Sequence, residues 1–307
     1  MTLGAVVITR NDGYGGDQPK KLRYCLASLL AAMDEVILVD WNSPKSESRN
    51  QKAEKESLPR TGKLRVITIG QAEAFALTGC VAGAQVCCEV LARNIGLRRL
   101  ATDYCVATNQ DIICLSRESI ERRLGTDRTD GTEGFYTIAR REVHLADVAR
   151  VFQFAPGSES LKQFLRDHSH SVHGHHPALD GRPTNFGQHA DGSPLGPQDP
   201  WSLITCPGDF QLAHRNVWHA IRGFEESLVR RGYTDSNVQR KAADAGFDLG
   251  LVRDIPVFHL CHYPDTGSTG GAFGEMNDPD AALFKFAGTT NPETWGFSDR
   301  EFDEEKF

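Results

Sequence analysis

The 307-residue chain has no apolar run approaching the roughly 20 residues that cross a bilayer. Its opening, "MTLGAVVITR", lacks the charged-then-apolar order of a secretion leader. Both absences lead us to expect a cytoplasmic protein with at most peripheral membrane contact. An excess of positive charge is also missing: the net charge is -7, which excludes a general nucleic-acid binder, because phosphate backbones recruit basic surfaces. An anionic ligand would then need local cations or a metal ion. There is no C-x-x-C pair, and the eight cysteines sit mostly inside apolar segments, so reduced, buried thiols are expected rather than a disulfide framework or a thiolate zinc site. The glycine-rich stretches "GYGG" and "GSTGGAFG" follow neither the phosphate-loop nor the dinucleotide fingerprint and read as loops over a site.

What is present is a hydrophobic fraction of 39%, enough to bury a large core. "GAVVIT" predicts a first buried strand that runs into the loop "RNDGYGGDQP". Leu22, Cys25, Leu26, Leu29, Leu30 and Met33 repeat at helical spacing, and "EVILVDWNSP" gives a second strand ending at Asp40. "KLRVITI", a helix over residues 85 to 101 and "DYCVAT" continue the alternation, which implies an α/β fold with a mainly parallel central sheet flanked by helices. Beyond it, "GFYTIARREV" predicts one strand and residues 166 to 200 a long loop rich in His, Gly, Pro and Asp. "SLITCPGDFQLAHRNVWHAI" brings regular structure back, followed by a helix from about Ser236 to Ala245 and one apolar strand, "LGLVRDIPVFHLCH". The reading is a single domain over 1–307: a ligand-binding half at 1–115, a loop-rich second half at 116–262 and a flexible segment at 263–307, ending in the acidic "SDREFDEEKF".

Ligands of open parallel sheets bind at the C-terminal edge of the strands. Thr9 to Asp12, Asp40 to Ser43 and Asn109 to Asp111 all fall at such ends, so one shared site is the economical reading. Asp111 lies between two apolar runs, where its carboxylate is expensive to bury without a partner. A hard divalent cation, Mg²⁺ or Mn²⁺, is a natural partner, and a carboxylate capping the next turn is the alternative.

These segments resemble a family-2-type glycosyltransferase of the GT-A fold. "VVITRNDGYGG" resembles its opening strand and loop, "DEVILVDWNSP" its second nucleotide-contacting loop, and "ARNIGLRRLATDYCVATNQD" the helix and strand leading to its metal motif. The motif is usually Asp-x-Asp, and here Asn109 replaces the first acid while Asp111 keeps the second. "PGDFQLAHRNVWHAIRGFEESLVRRGYTDSNVQRKAADAGF" is similar to the acceptor-side segment of galactosyltransferase-like members. The resemblance covers roughly residues 4 to 115 and 203 to 262.

The resemblance implies an inverting transferase that moves a sugar from a nucleotide-diphosphate sugar, most simply a UDP-sugar, to a hydroxyl of a glycan or similar acceptor, as in polysaccharide biosynthesis. Thr9, Arg10, Asn11, Asp12, Asp40, Asn42, Arg93 and Asn109 would surround the nucleotide and its phosphates. Asp111 and His262, preferred here over His259, would hold Mn²⁺ or Mg²⁺. Asp235 would be the general base, and its other reading is a helix N-cap. Asp209 is the second candidate base or a ligand of the acceptor sugar. Two further readings are a sugar-phosphate nucleotidyltransferase and a non-catalytic sugar-binding module. The run "DHSHSVHGHH", with His168, His170, His173, His175 and His176, reads as a solvated loop rather than a defined metal site.

Overall fold

The computed structural model describes residues 1–10, 16–43, 58–79, 87–127, 134–171, 208–229, 234–262 and 291–307. Asn11, Asp12, the second half of the histidine-rich run with His173, His175 and His176, Cys80, Cys206 and "GSTGGAFG" lie outside these residues.

The apolar run Leu3–Thr9 forms β1, buried along its whole length. It is flanked in parallel by β2 (Glu35–Trp41) and β4 (Tyr104–Thr108), and β3 (Leu64–Ile69) follows β2. Such strands are buried on both faces because helices cover both, which is why they read as apolar runs rather than alternating ones. On one face, α1 (Gln18–Ala32) sets Cys25, Leu26 and Leu29 against the sheet. On the other lies α3 (Glu89–Arg99), which comes after the short α2 (Gln71–Thr78). Gly96 lets α3 ride directly on β1, since a Cβ there would lie 2.4 Å from Val6.

Among the described residues the large sheet has eight strands in the order β10-β6-β9-β4-β1-β2-β3-β12, the last being Asp303–Lys306. Here β6 is Gly134–Ile138, β9 Phe210–His214 and β10 Asp248–Val252. β9 runs antiparallel between β4 and β6, whereas β10 is parallel to β6. The mainly parallel α/β expectation therefore holds, with an antiparallel insertion. A four-stranded sheet, ordered β5-β11-β7-β8, is assembled from β5 (Ile112–Cys114), β11 (Val257–Leu260), β7 (Arg141–Val143) and β8 (Ser169–Ser171). The remaining α-helices among the described residues are α4 (Arg117–Asp127), α5 (Leu145–Val151), α6 (Glu159–Asp167), α7 (Arg215–Ala220) and α8 (Thr234–Asp244).

Three strands of the large sheet hand over directly to the small one: β4 to β5 through residues 109–111, β6 to β7 through 139–140, and β10 to β11 through 253–256. The two stretches predicted as single strands, "GFYTIARREV" and "LGLVRDIPVFHLCH", are thus each two strands in different sheets. The interruption at Asn109 to Asp111 is the first of these hand-overs.

The tail expected to be flexible is ordered where it is described. Trp295–Phe297 form a 3-10 turn buried against α3, and β12 (Asp303–Lys306) pairs antiparallel with β3. Its four residues are exposed, so it is held as an edge strand by backbone pairing. The predicted loop after residue 166 begins instead with the end of α6 and with β8. No helix of the described residues is long and apolar enough to cross a membrane. The six described cysteines are all free thiols; burial pushes Cys105 up to about 12 and Cys114 up to about 11.

Candidate active site

Registers fix which residues meet at the hand-over edge. Val7 pairs with Thr108 and Thr108 with Phe210, so the ends of β1 and β4 and the start of β9 share that edge. Thr137 pairs with Gln211, which carries the chain after β6, including Arg140, to the same place.

Asp111 is 5% exposed, and its Oδ2 lies 3.4 Å from Nε2 of both His259 and His262. Its Oδ1 is buried and has no hydrogen-bond partner among the described residues. The Asp111 carbonyl accepts from Leu260 N–H at 2.9 Å, which pins the end of β11 beside the hand-over. Regular alternation would send residues 259 and 262 to opposite faces, but the strand stops at Leu260, so the turn brings both rings to one carboxylate. His259 therefore stands beside Asp111 together with the expected His262.

His259 stands between two carboxylates, since its Nδ1 is 2.7 Å from Glu142 Oε2. Glu142 Oε1 is 2.5 Å from Arg140, and Arg140 also pairs with Asp209. Asp209 Oδ1 accepts from the Asn109 amide at 2.8 Å, and Asn109 Oδ1 accepts from Arg93 at 2.6 Å. A continuous polar chain thus runs from Arg93 on α3 to Asp111. Burial alone would raise the Asp111 and Glu142 carboxyls and lower His259. The histidine hydrogen bonds outweigh it and hold both carboxyls below their ordinary range, and contacts with Asp111, Cys261 and Glu142 push His259 up. Two buried carboxylates demand a cation between them, which the His259 proton or a metal ion can supply.

On the other side, Thr9 donates to Gln110 Oε1 at 2.6 Å, and buried Gln18 donates to Gln110 Oε1 at 2.9 Å and to the Arg10 carbonyl at 2.5 Å. These bonds stiffen the loop edge where Arg10 leaves β1. Asp40 pairs with Ser43 at the end of β2, and Asn42 adopts a left-handed φ of 48°. Both lie on the same edge, Asp40 in register with Thr9.

Asp235 lies in the first turn of α8, inside the helix rather than at its cap. Its Oδ2 accepts from Gly208 N–H at 2.8 Å and its Oδ1 from Ser236 N–H at 3.0 Å. A Cβ at position 208 would come within 2.2 Å of the Asp235 Cβ, so the glycine of "PGDF" is what lets this helix start reach β9. The structure thus brings Asp209 and Asp235 to the same strand start. In the histidine-rich run, His168 is 3.2 Å from Asp147, and His170 stacks on His144.

No family model and no curated protein sequence matches the chain. Among solved structures, the fold is similar to S. aureus TarS 1-349, with a TM-score of 0.49 and 13% identity over 96% of this chain and 68% of that one. It is also similar to the mannosyltransferase PcManGT from Pyrobaculum calidifontis, determined in complex with GDP-Man and Mn²⁺, with a TM-score of 0.49 and 14% identity over 90% of this chain and 61% of that one. The chain spans 41% of the longer TarS chain.

Gln18, Arg140, Glu142, His259 and Cys261 join the site although sequence reasoning passed over them or ranked them second, and Gln110, placed at the strand end without a role, holds Thr9 and Gln18. A signal existed for some: Arg140 and Glu142, like His259 and Cys261, stand two residues apart, the spacing of one strand face, although Arg140 lies just before β7 and Cys261 just after β11.

Proposed function

We propose that the chain is a metal-assisted, inverting glycosyltransferase that uses a nucleotide-diphosphate sugar, most simply a UDP-sugar, and a hydroxyl-bearing acceptor such as a glycan. The observation that carries this reading is Asp111: a buried carboxylate with two imidazoles and an oxygen that has no partner among the described residues, at the C-terminal edge of parallel strands. One carboxylate and two imidazoles suit Mn²⁺ better than Mg²⁺, which prefers oxygen ligands and retained water. A divalent cation held by Asp111, His259 and His262 would offset charge developing on the leaving diphosphate.

The chain's own residues do the rest. Arg10 and Arg93 supply cationic contacts for the phosphates, and Thr9, Asp40 and Asn42 line the nucleotide edge. Asn109 is held at both ends, by Arg93 and Asp209, so it acts as a spacer or sugar contact, and the cation seat depends on one acid instead of two. Asp235 accepts the proton of the acceptor hydroxyl as it attacks the anomeric carbon. Asp209, with both oxygens already engaged by side chains, is better suited to orient the acceptor sugar.

The test is a thermal-shift panel of nucleoside diphosphates and nucleotide sugars with and without Mn²⁺, because a ligand that binds only the folded state raises Tm. We expect at least one nucleotide to stabilise the wild type in a Mn²⁺-dependent manner that Asp111→Asn abolishes. If no nucleotide shifts either protein, the proposal fails. In the same assay, Asp235→Asn should keep donor binding while sugar transfer is lost. Donor turnover separates the enzyme from a non-catalytic binding module, which hydrolyses no nucleotide sugar.

A further inference from the structure

Behind the Asp111 pair, the small sheet carries a second convergence of donor atoms. His259 and Glu142 are direct partners in the parallel β11–β7 register, and Cys261 follows His259 by two residues. Glu142 Oε2 receives both neighbours, His259 Nδ1 at 2.7 Å and Cys261 Sγ at 2.6 Å. The other Glu142 oxygen is fixed by Arg140, which orients the carboxylate. The three ligand atoms lie within 4.8 Å of one another. Glu142 and His259 are buried while Cys261 is half-exposed, which leaves an ion a route from solvent.

We propose that Glu142, His259 and Cys261 form a second cation site, one that takes a thiophilic divalent ion, Zn²⁺. Thiolate, imidazole and carboxylate at bond lengths of about 2.0–2.3 Å form a zinc donor set with a fourth position open, and small side-chain rotations suffice to close it around an ion. The Asp111 set contains no sulfur, so the two seats differ in chemistry: the harder cation belongs at Asp111 and the softer one at Cys261. Spacing along the sequence hid this site, because only one of its ligands is a cysteine and Glu142 comes from another strand.

Binding is an exchange of protons for metal. The thiol proton of Cys261 and the Nδ1 proton of His259, both now directed at Glu142, leave to the buffer as the ion takes their place. His259 also makes the two seats compete. A neutral imidazole has a single lone pair: with Nε2 given to an ion at Asp111, Nδ1–H donates to Glu142, and with Nδ1 given to zinc, Nε2–H donates to Asp111. Zinc at Cys261 therefore withdraws one ligand from the Asp111 seat. This competition rests on the glycosyltransferase reading, whereas the zinc site itself does not.

The experiment titrates the metal-free full-length protein with Co²⁺, whose bond to a thiolate gives a near-ultraviolet charge-transfer band that imidazole and carboxylate ligands do not produce. The band should form in the wild type, persist in Asp111→Asn, disappear in Cys261→Ser and bleach when Zn²⁺ is added. No band in the wild type, or an undiminished band in Cys261→Ser, overturns the site. As a second measurement, Zn²⁺ should slow iodoacetamide alkylation of Cys261, read by mass spectrometry, in the wild type and not in Glu142→Gln; equal rates with and without Zn²⁺ in the wild type also overturn it. If the band forms but Zn²⁺ leaves a Mn²⁺-dependent nucleotide shift unchanged, the competition is wrong. If no nucleotide shift exists at all, the glycosyltransferase reading fails while the Co²⁺ result stands.

Discussion

In the eight-stranded sheet, β1 buries seven residues of which Thr9 alone has a polar side chain, while the four-stranded sheet, with strands of three or four residues, buries Glu142 and His259 opposite each other. The large sheet has long apolar strands with helices on both faces, so its stability comes from area removed from water, about 1.5–3 kcal/mol for each fully buried aliphatic side chain. The small sheet lies across the strand ends and buries charge at a cost that its partners must offset. The division suggests that folding free energy resides in the first and chemistry in the second, and a set of variants can break or sharpen that claim.

The largest expected effect is in the large layer. Trp218 on α7 packs on Phe135 and Phe224 with ring centroids 5.0 and 5.6 Å away, and its indole N–H donates to the Cys105 carbonyl at 3.0 Å. Trp218→Ala should cost about 3–5 kcal/mol in urea unfolding. A loss below ~1.5 kcal/mol would deny this layer its leading share of the stability.

The next variant asks whether buried charge is by itself a mark of function. Lys241 on α8 is fully buried, donates to the Gly223 carbonyl at 2.8 Å and lies 3.6 Å from Glu225, in the large layer and outside the Asp111 network. Burial, only partly offset by Glu225, lowers its pKa from 10.5 to about 8. Between those values the unfolded lysine keeps a proton that the folded one has lost, so unfolding takes up a proton and stability rises with pH. Relative to Lys241→Met/Glu225→Gln, the wild type should gain on the order of 2–3 kcal/mol as pH climbs through that window. The raised thiols Cys105 and Cys114 oppose this gain in both proteins and cancel in the comparison. Parallel stability profiles for the two proteins would refute the assignment, and donor binding near neutral pH should not distinguish them.

In the small layer the expectation is reversed. A carboxylate that accepts the distal N–H of a metal-bound imidazole fixes its tautomer, and its loss typically costs about 10–100-fold in metal affinity. Glu142→Gln should weaken Mn²⁺ binding in that range, measured by direct titration, while urea unfolding of the metal-free protein changes less than in Trp218→Ala. Unchanged Mn²⁺ affinity would mean that His259 is held in place without Glu142.

The same contrast explains what could be read from the sequence. β1 to β4, α1 and α3 were legible because each buries an apolar pattern long enough to show its period, and strand ends then located Thr9, Arg10, Asp40 and Asn109 to Asp111. The small sheet was not legible. Its strands continue the apolar runs of β4, β6 and β10 after two to four residues, so "GFYTIARREV" looks like one strand while Arg140 stands at a change of sheet. Glu142 and His259 are brought together by a pairing between residues 117 positions apart, which no local pattern records. Asp209 and Asp235 could be named from the resemblance, but their meeting at Gly208 depends on tertiary packing.

The smallest expected effect concerns the acidic tail, where composition pointed to flexibility and the backbone supplied a strand. Glu304 of β12 accepts from Arg65 at 2.7 and 3.0 Å, and the same guanidinium reaches Glu35 at 2.5 Å. The Arg65 and Glu304 side chains are 23% and 35% exposed, so solvent screens the pair. Glu304→Gln should therefore cost no more than about 1 kcal/mol. What holds the tail is instead the register of Asp303–Lys306 with Arg65–Thr68, together with Arg99, which donates to the carbonyls of Gly296, Phe297 and Arg300. Limited proteolysis decides between the two accounts: the wild type and Glu304→Gln should resist cleavage after residue 300 equally. Cleavage there in the variant alone would show that the ion pair anchors the strand, and would place the tail with the charge-dependent small sheet.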